Sequence, residues 1–346
     1  MIVSALPRQR RKRASVSTPD WSLSHGLPQD GRTAVVTGAN TGVGLETARG
    51  LAARGATVVL ACRKAQAAAT AADDIRATVP GAHIDVARVD LSDLASVRAC
   101  AEVLRANYPV IDLLVNNAGV MHQTRALTRD GFEGDFATNF LGPFALTGLL
   151  LDRILASDGG RIVAVSSKTH RVGRIWFDDP QLAKGFTPQV AYTQSKLAQL
   201  MFTFELQRRL QSRGSAAMAL AAHPGGTRTA ILREQRPLLR LVYHRRLRYL
   251  TGWFTQGPAQ GALPVLRAVT DPAAAGGQFY GPGGRYEYVG APVLVRAATR
   301  AHDTDAQKRL WALAEDLTGV IYPLSGQATL PPDGGGGATP LAGDTL

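Results

Sequence analysis

A tyrosine and a lysine lie four residues apart in AYTQSKLAQLMFTFELQRRL, a segment with the pattern of a helix. Tyr192 and Lys196 therefore share one helical face. A tyrosine hydroxyl has an unperturbed pKa near 10, and an adjacent ammonium group favours its phenolate form. The pair is thus a candidate proton donor and acceptor. Asn139, in an apolar helical segment, and Ser166-Ser167, after a β-branched run, are further polar candidates.

A glycine-rich turn occurs much earlier in the chain, with Gly38, Gly42 and Gly44 in GANTGVG. It follows the apolar run TAVVT (33–37) and precedes the helical pattern LETARGLAARG and a second strand, TVVLA (57–61). Glycines let the backbone approach a pyrophosphate closely, and the next helix offers free N–H groups and its positive dipole end. This order predicts a dinucleotide-binding unit.

The residues after the second strand indicate which dinucleotide is bound. Proteins that bind NAD usually place Asp or Glu there to hold the ribose 2′-hydroxyl. This sequence instead has Ala61-Cys62-Arg63-Lys64. A carboxylate would repel a 2′-phosphate, whereas a guanidinium pairs with it through two hydrogen bonds. The sequence therefore favours NADP(H) over NAD(H), with Arg63 a better candidate than Lys64.

Strands and helices continue to alternate along the chain. Further strands are predicted at 84–90, 110–119, 161–167 and within 276–290, and helices from Ser92, over roughly 132–155 with Asn139 inside, and over 309–320. Alternation of this kind is typical of a parallel sheet covered on both faces. We expect an α/β fold, a single doubly wound Rossmann-type domain whose sheet has about seven strands flanked by helices.

Three motifs in order carry a family resemblance: TGANTGVG (37–44), NNAG (116–119) and YTQSK (192–196). Together with ACR (61–63), TNFLGPFALT (138–147) and HPGGTRT (223–229), they make the sequence resemble the short-chain dehydrogenase/reductase family over roughly 30–325. Within that family it resembles the retinol-dehydrogenase and protochlorophyllide-reductase-like group. The resemblance implies a catalytic tetrad of Asn139, Ser167, Tyr192 and Lys196. Ser167 would hold the carbonyl oxygen, and Asn139 would anchor a water that relays protons from Lys196.

The resemblance also implies the residues around the cofactor. They are Gly38, Asn40, Thr41, Gly42, Val43, Gly44, Arg63, Asp90, Leu91, Asn117, Ala118, Gly119, Tyr192, Lys196, Pro224, Gly225, Thr227 and Thr229. Asp90 matches an adenine contact, and Asn116 matches a residue near the adenosine ribose. Thr227 stands where valine is more usual, and NFLGPF (139–144) replaces the commoner NHLGHF, which affects the local shape of the pocket.

The net charge of +12 on 346 residues raises the question of an anionic partner. Five basic residues lie in 1–20, which we expect to be a disordered tail, and five more lie between Arg236 and Arg248 in the expected substrate lid, 230–256. The catalytic domain is expected over 21–324, followed by a Gly/Pro-rich disordered tail over 325–346. No recognition module accompanies the charge, so we expect no nucleic-acid partner, and contact with a membrane surface is not favoured.

Several other protein classes are disfavoured. Two cysteines make no disulfide framework, and the seven histidines have no zinc-ligand spacing, so no metal is expected. No apolar stretch approaches the roughly 20 residues of a membrane span, and the N-terminal pattern does not fit a signal peptide. These features predict a cytoplasmic protein.

The combined expectation is an NADP(H)-dependent oxidoreductase that interconverts a carbonyl and an alcohol, acting on a small-to-medium lipophilic substrate. One alternative is reduction of a C=C bond, as in the protochlorophyllide-reductase-like relatives. Another is an NADP-binding regulator without turnover, which the complete tetrad disfavours. The substrate, the preferred direction and the oligomeric state are left open.

Overall fold

The computed structural model describes residues 21–227 and 255–324. The two predicted tails (1–20 and 325–346), residues 230–254 of the predicted lid and Thr229 lie outside these described residues. Within the described part, no helix is both long and apolar enough to cross a membrane.

The strands are short and mostly buried. They are β1 (Thr33–Thr37), β2 (Thr57–Cys62), β3 (Ile84–Arg88), β4 (Leu113–Asn116), β5 (Arg161–Val165), β6 (Met218–Ala222), β7 (Phe279–Pro282) and β8 (Pro292–Leu294). The helices that alternate with them are α1 (Gly42–Ala52), α2 (Ala65–Thr78), α3 (Leu94–Asn107), α4 (Gly134–Phe136), α5 (Gly142–Leu149), α6 (Leu151–Leu155), α7 (Pro188–Ser212), α8 (Pro258–Thr270) and α9 (Thr304–Thr318). Short 3₁₀ turns occupy Leu23–His25, Lys168–Val172, Arg285–Glu287 and Thr299–His302.

The described strands form one sheet of eight, in the order β3-β2-β1-β4-β5-β6-β7-β8. Neighbours pair in parallel except β7 and β8, which are antiparallel. The order reverses between β1 and β4, and ligands of doubly wound sheets bind at such a switch point beyond the carboxyl ends of the strands. The predicted fold is therefore confirmed. The edge strand β8 adds one to the expected number, because a three-residue strand that begins with proline leaves no strand pattern in the sequence.

Apolar side chains cover both faces of the sheet. Successive residues of a strand point to opposite faces. Val35 accordingly packs into a cluster with α3, α5, α7 and α9, while Val36 packs into a second cluster with α1, α2 and α8. On the first face, Phe144 contacts Trp311 and Tyr322, with ring centroids 5.3 and 4.8 Å apart. Layers on both faces hold the strand ends, and the loops that follow them, in fixed positions.

The helix expected over 132–155 is interrupted twice. After α4, Ala137–Leu141 form a π-helical turn, in which the N–H of Gly142 donates to the carbonyl of Ala137. At Leu150 the backbone leaves helical geometry (φ −102°, ψ 0°) and separates α5 from α6. Asn139 therefore lies in a π-helical turn rather than inside a continuous α-helix, and such turns recur at functional sites.

Candidate active site

A cavity opens where the glycine-rich turn joins β1 to α1. Gly38 and Gly42 have φ of +64° and +63°, a left-handed conformation that side chains rarely adopt. A Cβ at Gly44 would lie 2.6 Å from the carbonyl oxygen of Gly38 and 2.3 Å from Nδ2 of Asn117. These close approaches leave a cradle of backbone at the first turn of α1, where free N–H groups suit a pyrophosphate. The residues present thus fit a dinucleotide.

The far wall of this cavity is formed by the ends of β2 and β3. Arg63 and Lys64 line it with exposed side chains, after the buried strand residues Ala61 and Cys62. Asp90 also lines it, and its Oδ1 accepts hydrogen bonds from Ser92 N (3.0 Å) and Ser92 Oγ (2.6 Å). The end of β2 therefore presents two cations and no carboxylate.

Asn116 and Asn117 point to opposite sides of the β4 strand end. Nδ2 of Asn116 is buried and donates to Oγ1 of Thr147 (3.0 Å), so this side chain packs against α5. Asn117 lines the cavity and donates from Nδ2 to the carbonyl of Thr37 (2.8 Å). The expectation that Asn116 lies near a ribose is therefore wrong for its side chain, because strand alternation turns it away.

The four candidate catalytic residues converge beyond the ends of β4 and β5. The side chains of Tyr192, on α7, and Ser167, after β5, lie close enough for the serine hydroxyl to act on the pKa of the tyrosine. Nζ of Lys196, one turn along α7, donates to the carbonyl of Val165 (3.0 Å) and lies 5.8 Å from the centroid of the Tyr192 ring. A hydroxyl pair with a buried ammonium beside it can bind a carbonyl oxygen and supply a proton.

Asn139 fixes the chain segments next to these residues through its hydrogen bonds. Its Oδ1 accepts from the N–H of Val120 (2.8 Å), and its Nδ2 donates to the Val120 carbonyl (2.9 Å) and to Oγ of Ser195 (2.9 Å). A Cβ at Gly119 would lie 3.1 Å from Nζ of Lys196 and 3.4 Å from Oδ1 of Asn139. Gly119 thus lets the segment after β4 pass close to both side chains.

A second cavity adjoins the first, and the two share Val43, Asn117 and Gly119. Its volume is about 590 Å³, within the usual range for a small-molecule site. Its other lining residues are Met121, Val165, Ser166, Ser167, Lys168, Thr169, Arg171, Val172, Gln189, Tyr192, Lys196, Pro224, Gly225, Gly226, Thr227 and Tyr288. The Ser167 and Tyr192 hydroxyls therefore face a space large enough for a substrate, next to the dinucleotide cradle.

The family model of the short chain dehydrogenases matches residues 32–239. The chain belongs to the short-chain dehydrogenase family. Retinol dehydrogenase 12 of Mus musculus is 39% identical to it over 294 residues, which cover 84% of this chain and 88% of the relative. Polyprenol dehydrogenase of Mus musculus is 40% identical over 298 residues, covering 85% of each chain. The solved structure of an uncharacterized protein from Mycobacterium Paratuberculosis matches with a TM-score of 0.72 and 39% identity, covering 88% of this chain and 99% of that one.

These relatives confirm the retinol-dehydrogenase-like resemblance. The chain is accordingly an oxidoreductase of the kind that interconverts alcohols and carbonyl compounds, and the family binds a nicotinamide dinucleotide. Apart from Asn116, every cofactor residue expected from the sequence and described in the structure lines one of the two cavities. Asn139 does not line either cavity and lies behind Gly119.

Burial shifts the pKa of both Tyr192 and Lys196 in this short-chain dehydrogenase. It raises the pKa of Tyr192 to about 12, with the Ser167 hydrogen bond acting in the opposite direction, and it lowers the pKa of Lys196 to about 8. The expected lowering of the tyrosine pKa by Lys196 is not met, since Nζ is directed to Val165 and to Oε1 of Gln199 (2.9 Å). At neutral pH the tyrosine is therefore protonated.

Two structural supports of the site were not predicted from the sequence. Gln199 is buried, and its Oε1 accepts a hydrogen bond from Lys196, three residues earlier on α7. Residues at this spacing share a helical face, so the sequence could have indicated this contact. Glu287 accepts from Nη2 of Arg171 (2.6 Å) and pairs with Nε2 of buried His223 (3.2 Å). That contact anchors the β7–β8 loop, which brings Tyr288 to the second cavity, and only the tertiary fold joins its members.

No metal site is formed within residues 21–227 and 255–324, where no three His, Cys, Asp or Glu side chains are grouped to hold an ion.

Proposed function

We propose that this short-chain dehydrogenase reduces lipophilic aldehydes or ketones with NADPH, Tyr192 being the proton donor. The proposal rests on the position of Tyr192 and Ser167, which both line the second cavity directly beside the dinucleotide cradle. The relatives named retinol and polyprenol dehydrogenases support a lipophilic alcohol or carbonyl substrate. Val43, Met121 and Val172 give the cavity an apolar wall that suits such a molecule.

Each side chain has a distinct task in this mechanism. The bound dinucleotide supplies the hydride that reaches the carbonyl carbon. Ser167 holds the carbonyl oxygen and stabilises the negative charge that develops on it, and Tyr192 delivers the proton that this oxygen takes up. Lys196 restores the proton of Tyr192, and Asn139 fixes the segment along which a relay water connects Lys196 to solvent. Alcohol oxidation uses the same groups in reverse.

A panel of carbonyl compounds tests this proposal. Purified protein should oxidise NADPH in the presence of long-chain aldehydes and ketones, and much more slowly with short polar ones such as a sugar aldehyde. Tight NADPH binding without oxidation by any member of the panel would instead indicate a regulator that binds the cofactor without turnover.

Replacement of Arg63 by alanine should raise KM for NADPH by about 10-fold or more, because a guanidinium–phosphate pair contributes well over 1 kcal/mol. KM for NADH, which lacks the phosphate, should change less than about twofold. The measurement is initial-rate kinetics with both cofactors. Arg76→Ala is the matched control, since Arg76 pairs with Asp73 on α2 outside the cavity. Equal effects of Arg63→Ala on both cofactors would contradict the preference for NADP(H).

We also place the enzyme in the cytoplasm. Cys62 and Cys100 are free and buried, which agrees with a reducing compartment. Fractionation of cells that naturally produce the protein tests the cytoplasmic location. Recovery of the protein in a membrane or secreted fraction would contradict that location.

A further inference from the structure

An acidic residue outside the Asn139, Ser167, Tyr192 and Lys196 group lies near it. Asp135, on α4, is fully buried. Its Oδ1 accepts from the N–H of His122 (2.9 Å) and contacts Nδ1 of the same ring (2.7 Å). Oδ2 is buried and has no hydrogen-bond partner among the described residues. A buried carboxylate with an unpaired oxygen is costly, so its presence calls for a physical reason.

The position of Asp135 ties it to the active site. It precedes Asn139 by four residues, and the two side chains hold the same segment, because Asn139 accepts the N–H of Val120 and Asp135 accepts that of His122. That segment begins at Gly119, against Nζ of Lys196. Asp135 and Asn139 are therefore successive anchors of the chain that passes the catalytic lysine.

The titratable groups around Asp135 come from three elements. His122 faces it from the segment after β4, Glu133 from the start of its own helix, and Tyr192 and Lys196 from α7. The Glu133 carboxylate accepts hydrogen bonds from the backbone N–H groups of residues 135 and 136. The negative charge of Asp135 acts in one direction on the catalytic pair, since it raises the pKa of both Tyr192 and Lys196.

We propose that Asp135 is a positioning residue whose buried charge, held in place by His122, keeps the proton on the Tyr192–Lys196 pair during carbonyl reduction. The inference rests on the proposed function, because it assigns Asp135 to the proton transfer of that same site. Burial favours the neutral form of Lys196, and a nearby carboxylate favours its ammonium form. Asp135 thereby extends upward the pH range in which the pair can donate.

Loss of the Asp135 charge should move the pH profile of carbonyl reduction to lower pH. Reduction requires the protonated pair, so kcat/KM is constant at low pH and falls as pH rises past the pKa of Lys196, about 8. Loss of the negative charge lowers the pKa of both groups. In Asp135→Asn the fall should therefore begin about one pH unit lower than in the wild type. For alcohol oxidation, the rising limb should move to lower pH as well.

The experiment is the pH profile of kcat/KM for aldehyde reduction in the wild type, Asp135→Asn and Asp135→Ser, each with the dissociation constant of NADPH. Both neutral variants should shift the basic limb equally, although they differ in size, and NADPH binding should stay within about twofold of the wild type. Should the asparagine variant not fold, the serine variant carries the same expectation. Asp305→Asn, which removes an exposed charge at the start of α9, is the matched control and should shift nothing.

If a folded Asp135 variant has a lower kcat but the same basic limb of the kcat/KM profile as the wild type, the inference is overturned and Asp135 is a structural residue. Failure of the proposed function looks different, because the wild type itself would then show no carbonyl reduction, or Tyr192→Phe would be as active as the wild type.

Discussion

Tyr192→Phe lowers kcat/KM for carbonyl reduction by about 10³-fold, which lies within the range for loss of a general acid. The substitution removes one oxygen and keeps the ring, so it deletes the proposed proton donor beside Ser167 with little change in packing. Because the first cavity is lined by other residues, the dissociation constant of NADPH should stay within about twofold. Steady-state kinetics and a fluorescence titration with NADPH give both quantities.

The matched control for this variant is Tyr108→Phe. Tyr108 follows α3, and its hydroxyl donates to Asp85 (2.7 Å) away from both cavities. It should keep nearly full activity. A Tyr192→Phe protein that retains more than about a tenth of wild-type kcat/KM would show that another group donates the proton.

Lys196→Met should lower kcat/KM by about 10²-fold or more, because it removes the ammonium that restores the proton of Tyr192. The substitution also leaves the acceptors on Val165 and Gln199 without their donor, so some loss of thermal stability is expected. The fall in wild-type activity near pH 8 follows the deprotonation of Lys196, which this substitution removes. The remaining activity should therefore lack the fall near pH 8 that the wild type shows.

The pH profile separates this result from a general loss of structure. Lys184→Met, at an exposed position, is the control and should reproduce the wild-type profile. A Lys196→Met enzyme whose activity still falls near pH 8 would show that a different group titrates there.

Local sequence patterns predicted much of the dinucleotide cavity, because its requirements are local. Gly38, Gly42 and Gly44 are needed by one turn, and Arg63 directly follows a recognisable strand. The sequence could also have indicated that Asn117, and not Asn116, faces the cavity. Residues alternate along a strand, and Asn116 is the last residue of β4.

Other features depend on contacts between distant parts of the chain. The π-helical turn at Asn139 has no local signature, since its shape follows from how this segment is anchored to Val120 and Ser195. Asp135 and His122 are thirteen residues apart with a turn between them, and only the folded chain shows that they meet. The raised pKa of Tyr192 is likewise a consequence of burial, which spacing on a helix does not reveal.

The most direct test of the central claim is to follow the transferred hydrogen. The wild-type enzyme is incubated with NADPH carrying deuterium at the transferable position and with a lipophilic α,β-unsaturated aldehyde. The expected product is an allylic alcohol with deuterium on the former carbonyl carbon and the double bond intact, and Tyr192→Phe should form it about 10³-fold more slowly. Deuterium at the β-carbon of a saturated aldehyde would contradict it and would make the protein a C=C reductase.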